Sequence, residues 1–129
     1  MSERGATLVV VLWALVALSA LSLVAAVGAV LDLRLAARHR EHAAALAAAE
    51  TGLAEALAAV WRDPARAARI DSLSGSGAGG SWTARWSPSG SGLRLLATGA
   101  DGSATRAVEA WAEPDPGPGW RIVGWREIR

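Results

Sequence analysis

The sequence predicts an α+β protein in which one long N-terminal helix, transmembrane in its first half, packs at its C-terminal half against a small four-stranded antiparallel sheet. Three observations predict this fold. Residues 6–31 contain no charged side chain, and this run exceeds the ~20 apolar residues that cross a bilayer core. No proline occurs before Pro64. After residue 80 the apolar period changes to two, which is typical of strands.

A single helix is expected from Ala6 to Arg62, preceded by a polar leader over residues 1–5. At 1.5 Å per residue this helix would be roughly 85 Å long. The run 6–31 is apolar on all sides, whereas the second half of the helix carries one apolar stripe at 100° per residue. The stripe comprises Leu35, Leu46, Leu53, Leu57 and Val60. We expect its last four members to form the core beneath the head.

The head is expected after a short connecting region. Asp63 followed by Pro64 forms an N-cap with proline at the first helical position, which predicts a second helix to about Leu73. The next residues are rich in serine and glycine, so we assign residues 63–80 to a short helix and flexible linker. The β-rich head then spans residues 81–129, with strands starting near Trp82, Leu93, Ala104 and Trp120. So small a domain needs the helix as a partner surface.

Composition excludes several functions. The chain has no cysteine, so disulfides and thiolate metal sites are absent. A net charge of +1 gives no argument for a nucleic-acid partner. Thirteen basic residues are all arginine, and asparagine, glutamine, phenylalanine and tyrosine are also missing, which indicates GC-rich codon usage rather than guanidinium chemistry. We therefore expect no cofactor and no bound nucleic acid.

Candidate catalytic and metal-binding residues are few. His39 and His42 are three residues apart on the helix, but zinc sites need three or four protein ligands. No nucleophile and orienting carboxylate accompany these histidines as a catalytic triad requires. The glycine-rich stretch 75–80 lacks the Lys-Ser/Thr of a phosphate-binding loop. The sequence therefore predicts no metal site, no catalytic residue and no enzymatic activity.

The head is rich in tryptophan, which offers an alternative function as a ligand-binding module. We expect at least three of its five tryptophans in the core, because phenylalanine and tyrosine are missing, and we expect Trp125 to be exposed. The five are Trp82, Trp86, Trp111, Trp120 and Trp125. Arginines in the last strand are expected mainly to keep a sheet edge soluble.

The first 60 residues or so resemble the type IV pilin superfamily. The residues that carry the resemblance are the leader Arg4-Gly5, the apolar run ATLVVVLWALVAL that begins at Ala6, and the stretch AAAETGLAEAL over residues 47–57. This last stretch is similar to the signature of PilX-like minor pilins. The VLW near the start is similar to K-type minor pseudopilins of type II secretion.

The resemblance implies that a prepilin peptidase cleaves between Gly5 and Ala6 and methylates Ala6. It implies a structural subunit of a type IV pilus or of a type II secretion pseudopilus, with membrane lipid and other pilin or pseudopilin subunits as partners. Most major pilins have glutamate at the fifth mature position, where this chain has Val10. An unpaired ammonium in an apolar environment is costly, so we expect a tip or low-copy subunit. Filament or membrane contacts are expected at Val10, Trp13, Ala14, Ala17 and Gly28.

The resemblance also implies a single-pass protein of the bacterial inner membrane with a periplasmic head, which becomes part of a filament on assembly. Arg34, Arg38 and Arg40 follow the apolar run, and Arg4 alone precedes it. By the positive-inside rule this distribution favours the opposite orientation. The alternative function is an uncleaved single-pass anchor that scaffolds an envelope complex.

Overall fold

The computed structural model describes residues 3–77 and 79–128. A long helix, α1, spans Glu3–Arg62 and is followed by a short 3-10 helix over Pro64–Ala68. Five strands follow: β1 Asp71–Gly77, β2 Gly80–Ser89, β3 Gly92–Asp101, β4 Ala104–Pro114 and β5 Trp120–Ile128. Each strand pairs antiparallel with its neighbour in sequence, so the sheet is a meander in the order β1-β2-β3-β4-β5. The α+β class is therefore confirmed.

The helix α1 is continuous across two compact units, one ending at Ala37 and the other beginning at Arg38. In the first unit nearly all of its side chains are exposed. In the second unit α1 buries a face made mainly of small residues: Ala45, Ala48, Ala49, Gly52, Leu53, Ala56, Ala59 and Val60. Of the expected leader, Met1 and Ser2 lie outside the described residues.

A single core joins this face of α1 to one side of the sheet. Side chains alternate between the two sides of a strand, and the buried series on the helix side of β2–β4 consists of Ala84, Trp86, Leu93, Leu95, Ala97, Val108, Ala110 and Ala112. A fully buried leucine or valine contributes about 1.5–3 kcal/mol. The second unit is therefore stabilised by the layer between helix and sheet.

The sheet has five strands, and the expectation of four was wrong. In the connecting region the 3-10 helix spans Pro64–Ala68, and Asp71–Gly77 forms β1 instead of the end of a second helix and a flexible linker. The pairing runs from Asp71 opposite Trp86 to Gly77 opposite Gly80. Serine and glycine have weak intrinsic strand preference. The strand forms because β2 presents backbone groups that need hydrogen-bond partners.

Two turns between strands depend on glycine. Gly90 connects β2 to β3 with a φ of 61°, and Gly102 connects β3 to β4 with a φ of 55°. Side chains strongly disfavour this left-handed region, whereas glycine adopts it freely. These turns set the registers that place Trp86 opposite Leu95 and Leu95 opposite Ala110 in the core.

Candidate functional site

The expected processing position lies in the first turns of α1. Gly5 is partly exposed and Ala6 is exposed. The hydroxyl of Thr7 donates a hydrogen bond to the carbonyl oxygen of Glu3 at 2.9 Å, so this segment is regular helix. Cleavage of the Gly5–Ala6 bond would require this turn to unwind. Glycine lowers the cost of doing so, because it disfavours helix by about 1 kcal/mol relative to alanine.

The apolar segment of α1 presents its side chains outward. Val10 is 68% exposed and Trp13 is 70% exposed, and Ala14 and Ala17 are also exposed. A Cβ added at Gly28 would meet nothing within 4 Å. Among the described residues, one helix, α1, is long and apolar enough to cross a membrane, with a mean hydropathy of 2.7 in its most apolar window. Among the described residues, four of the five expected contact positions are therefore exposed, and at Gly28 there is space for a side chain.

A polar side chain inside the apolar segment is satisfied by the helix itself. The hydroxyl of Ser19 donates to the carbonyl oxygen of Leu15 at 2.8 Å. This bond back to the preceding turn removes an unpaired donor from an apolar setting. The segment is thus compatible with a hydrocarbon environment at this position.

The expected head-packing stripe lies in or against the core. Leu53 and Val60 are buried, and Leu46 and Leu57 are partly buried against the same cluster. Leu35 is exposed in the first unit. The buried face of α1 is centred on its small residues, beside this stripe, because the sheet lies close to the helix backbone.

Gly99 of β3 is the point of closest approach. A Cβ on Gly99 would lie 2.1 Å from the carbonyl oxygen of Ala45 and 2.4 Å from the amide nitrogen of Ala49. No side chain fits there, so glycine allows the strand to contact the backbone of α1. Sequence reasoning missed this residue, although an isolated glycine inside a strand pattern is a signal of close backbone approach.

Two polar attachments hold the ends of the packed half of α1. Near its start, the hydroxyl of Ser103 donates to the carboxylate of Glu41 at 3.0 Å. Beyond its end, Nε of Arg66 donates to Asp71 at 2.9 Å, and the guanidinium lies 4.9 Å from the centre of a ring of Trp86. Trp86 Nε1 in turn donates to the carbonyl oxygen of Arg66 at 3.0 Å. The hydrogen bond from Arg66 is the main cause of a lowered pKa at Asp71.

The outer side of the sheet carries a buried carboxylate that sequence reasoning also missed. Glu109 on β4 is fully buried between Arg94 on β3 and Arg126 on β5. Arg126 Nε donates to Glu109 Oε2 at 2.7 Å, and Arg94 pairs with Oε1. Burial acts to raise the pKa of Glu109, but the hydrogen bonds from both arginines outweigh it, and the pKa lies below its usual value. This network joins the outer sides of β3, β4 and β5.

One head tryptophan lies in the buried core and two pack against it, where at least three were expected in the core. Trp86 is buried, and Trp82 and Trp120 pack against the core while partly exposed. Trp111 is partly exposed, with the guanidinium of Arg126 5.3 Å from its ring centre. Trp125 is exposed.

Chemistry-bearing groups are dispersed over the described residues. His39 and His42 are both exposed on α1. Within residues 3–77 and 79–128, no three His, Asp or Glu side chains lie close enough together to hold a metal ion.

Residues 4–54 match the family model described as PilX N-terminal. This part of the chain is thus similar to the N-terminal region of PilX proteins, by a match that ends before the sheet begins at Asp71. No curated protein and no solved structure matches the chain.

Proposed function

We propose that this chain is a minor pilin, a non-catalytic structural subunit present in low copy in a type IV filament. The observation that carries the proposal is the PilX-type segment over residues 4–54. It includes the uncharged run 6–31 and leads without a break into the sheet-covered half of α1. An anchor and a head are thereby built on one helix.

The apolar half of α1 serves two environments in succession. It is held in membrane lipid before assembly and packs against the helices of neighbouring subunits afterwards. Replacing lipid contacts by contacts with another helix changes the hydrophobic free energy little. Small residues that permit close approach therefore guide the packing. Ala14, Ala17 and Gly28 are such residues, and none is covered within the chain.

Low copy number follows from Val10. Cleavage after Gly5 would create a charged amino group on Ala6, at the start of an apolar helix. Val10 offers no carboxylate to offset this charge within an apolar bundle, where an unpaired ammonium is costly. Such a subunit is best placed at the filament tip, where fewer neighbours surround its N-terminus.

Mass spectrometry of the N-terminus tests the proposal. In cells with an active prepilin peptidase, we expect the chain to begin at N-methylated Ala6. Gly5→Val should retain the leader and fail to enter filaments. Gly28→Val is the matched control, since it removes a glycine from the same helix and should be processed normally. A full-length N-terminus in the unchanged protein would contradict the proposal.

The orientation of the head is tested with a single introduced thiol. We propose an inner-membrane protein with a periplasmic head, against the distribution of arginines around the apolar run. Because the chain has no cysteine, Ser91→Cys places one thiol at an exposed turn. A membrane-impermeant maleimide should label it in spheroplasts without lysis. Labelling that requires lysis would place the head in the cytoplasm.

The uncleaved single-pass anchor is the second candidate. It is favoured by the continuous helix through Gly5 and Ala6 and by the excess of arginine after the apolar run. For an anchor, Gly5→Val should change neither the N-terminus nor the proteins that co-purify. For a processed subunit, the proteins that co-purify identify the filament: pilus subunits indicate a type IV pilus, and secretion subunits indicate a type II secretion pseudopilus.

A further inference from the structure

Strand β5 is an open edge of the sheet with an unusual share of exposed apolar surface. It pairs with β4 on one side, and no described strand pairs with its other side. Within residues 38–128, seven large apolar side chains are exposed, and four of them lie on β5. These four are Ile122 (40%), Val123 (48%), Trp125 (59%) and Ile128 (37%). Charged side chains protect an edge strand from association, but on β5 the charged residues Arg121, Arg126 and Glu127 alternate with this apolar surface.

The register shows which side of the sheet these residues face. Trp125 lies opposite Ala110, and Ile122 lies opposite Ala112. Both alanines belong to the buried core on the helix side, and directly paired residues point to the same side of a sheet. Trp125 and Ile122 therefore project toward the side where α1 packs, but they remain uncovered.

An apolar depression lies beside the exposed apolar residues of β5. A cavity of about 310 Å³ lies between α1 and the start of β5 and is lined by Ala54, Leu57, Ala58, Trp61 and Trp120. Trp61 is itself 63% exposed. Trp120 lies on the helix side of β5 as Ile122 and Trp125 do. The helix side of this edge thus offers a continuous set of apolar contacts with space beside it.

On its outer side β5 itself carries two arginines. Arg121 lies opposite Glu113, and Arg126 lies opposite Glu109, so both project to the outer side. Arg121 is exposed, and Arg126 shares the single carboxylate of Glu109 with a second arginine. The acid of β5, Glu127, faces the helix side and is bound by Arg106 at 2.7 Å. The described part of β5 therefore has no acid on its outer side.

We propose that β5 receives an extended segment of another protein as a sixth strand, whose side chains alternate between apolar residues on the helix side and acidic residues on the outer side. Backbone groups of the open edge would bind the segment. Its apolar residues would cover Ile122 and Trp125, and its acids would lie beside Arg121 and Arg126. Opposite charges across a strand pair are stabilising, and like charges are destabilising.

Charge argues against a second copy of this chain as the occupant. The β5 edge of a second copy would bring arginines to arginines on the outer side. The other open edge, β1, carries serines on its outer side, since Ser72 and Ser74 lie opposite Arg85 and Thr83. Neither edge supplies the acids that the cationic side requires. The inference rests on the proposed function in one respect: another filament subunit would be the natural source of the segment.

A bulge adds selectivity to this edge. The pairing of β4 with β5 shifts register between Trp111 and Ala112, which leaves Val123 as an extra residue on β5. Bulges interrupt regular pairing and discourage indiscriminate association of edges. Side-chain complementarity is then needed in addition to backbone hydrogen bonds.

Peptide binding by the full-length protein in detergent micelles tests the proposal. Two fluorescent nine-residue peptides of alternating valine–glutamate and valine–lysine are compared by anisotropy. We expect the acidic peptide to bind roughly ten-fold more tightly, the effect of about two cross-strand charge pairs. Arg121→Glu should abolish or invert this preference, and Trp125→Ser should weaken both peptides. Ile70→Ser removes an exposed apolar side chain outside β5 and should leave binding unchanged.

Three results would overturn the proposal. One is equal affinity for the two peptides, and another is binding that Trp125→Ser and Arg121→Glu leave intact. The third is the absence of peptide binding together with another activity of this edge. If the variants lose self-association, the edge binds a second copy, and if they lose binding to anionic vesicles, it binds a lipid surface. The N-terminal mass is independent of all three. An uncleaved leader with intact peptide selectivity would refute the processed pilin and leave the strand-binding edge standing.

Discussion

The indole of Trp82 lies so close to Gly52 of α1 that a Cβ on this glycine would come within 2.9 Å of Trp82 Cε3. The same indole also covers Gly75 of β1, where a Cβ would lie 2.6 Å from Cζ2. One side chain from β2 therefore fills a slot between a helix glycine and a strand glycine. This contact positions β1 and β2 where they pack against α1.

Gly52→Ala should destabilise the head despite improving the helix. Alanine is favoured over glycine in a helix by about 1 kcal/mol, but overpacking against a rigid ring costs about 1–3 kcal/mol. We expect a net loss of up to about 2 kcal/mol, measured by denaturant unfolding in detergent with tryptophan fluorescence.

Gly28→Ala is the control for this change, because it improves the same helix where no neighbour lies within 4 Å. Replacing Trp82 by leucine should remove most of the penalty of Gly52→Ala, giving a non-additive double variant. Equal stability of the two alanine variants would show that the indole does not require Gly52.

Gly99→Ala should be more damaging than Gly52→Ala. The atoms that a Cβ would meet at 2.1 Å and 2.4 Å are backbone atoms of α1, and a helix backbone cannot move aside as a side chain can. We expect a loss of about 3 kcal/mol, at the upper end for overpacking. Gly77→Ala in β1, where nothing lies within 4 Å, should cost far less. The same unfolding assay compares them, and similar losses would refute the close approach.

Acid should destabilise the head through Glu109. A carboxylate whose pKa is lower in the folded state stabilises the fold above its usual pKa of 4.5, and this contribution is lost as pH falls through the lowered folded value. Stability should therefore be nearly constant from neutral pH to about pH 5 and should fall below it.

Glu109→Gln should be less stable than the unchanged chain at neutral pH, because Arg94 and Arg126 lose their shared partner, and its stability should depend less on acid pH. Melting temperatures across this range measure both effects. Glu50→Gln, at an exposed position of α1, is the control and should keep the full acid dependence. An unchanged acid slope in Glu109→Gln would assign the effect to other carboxylates, including Asp71.

Val10→Glu should raise the number of copies in a filament. A carboxylate at this position could offset the amino-terminal charge of a neighbouring subunit, which removes the cost of an unpaired ammonium. Quantitative immunoblotting of purified filaments against total protein measures the ratio. Val10→Gln, similar in size without the charge, should leave the ratio unchanged. Equal incorporation of all three chains would show that Val10 does not limit copy number.

Much of the architecture follows from local patterns. The uncharged run and the absence of proline before Pro64 predicted a helix ending at Arg62, where α1 ends. The last strand was predicted to start near Trp120, where β5 begins. These elements were predictable because periodicity, turn residues and helix breakers are properties of neighbouring residues.

The missed features depend on contacts between distant segments. β1 has the composition of a linker, and its strand conformation comes from pairing with β2 and from the indole of Trp82 over Gly75. Glu109 looks like any solvated glutamate until β3 and β5 bring Arg94 and Arg126 to it. A single sequence contains no periodic signal for either contact.

By itself the sequence determined a long apolar helix, its amphipathic second half and the strands with tight turns, because each follows from local conformational preference and burial pattern. Only the tertiary structure decided the fifth strand, the glycines at which α1 meets the sheet, and the strand edge left uncovered. Those depend on the distance between helix and sheet, which is set by side-chain volumes from segments far apart in the chain.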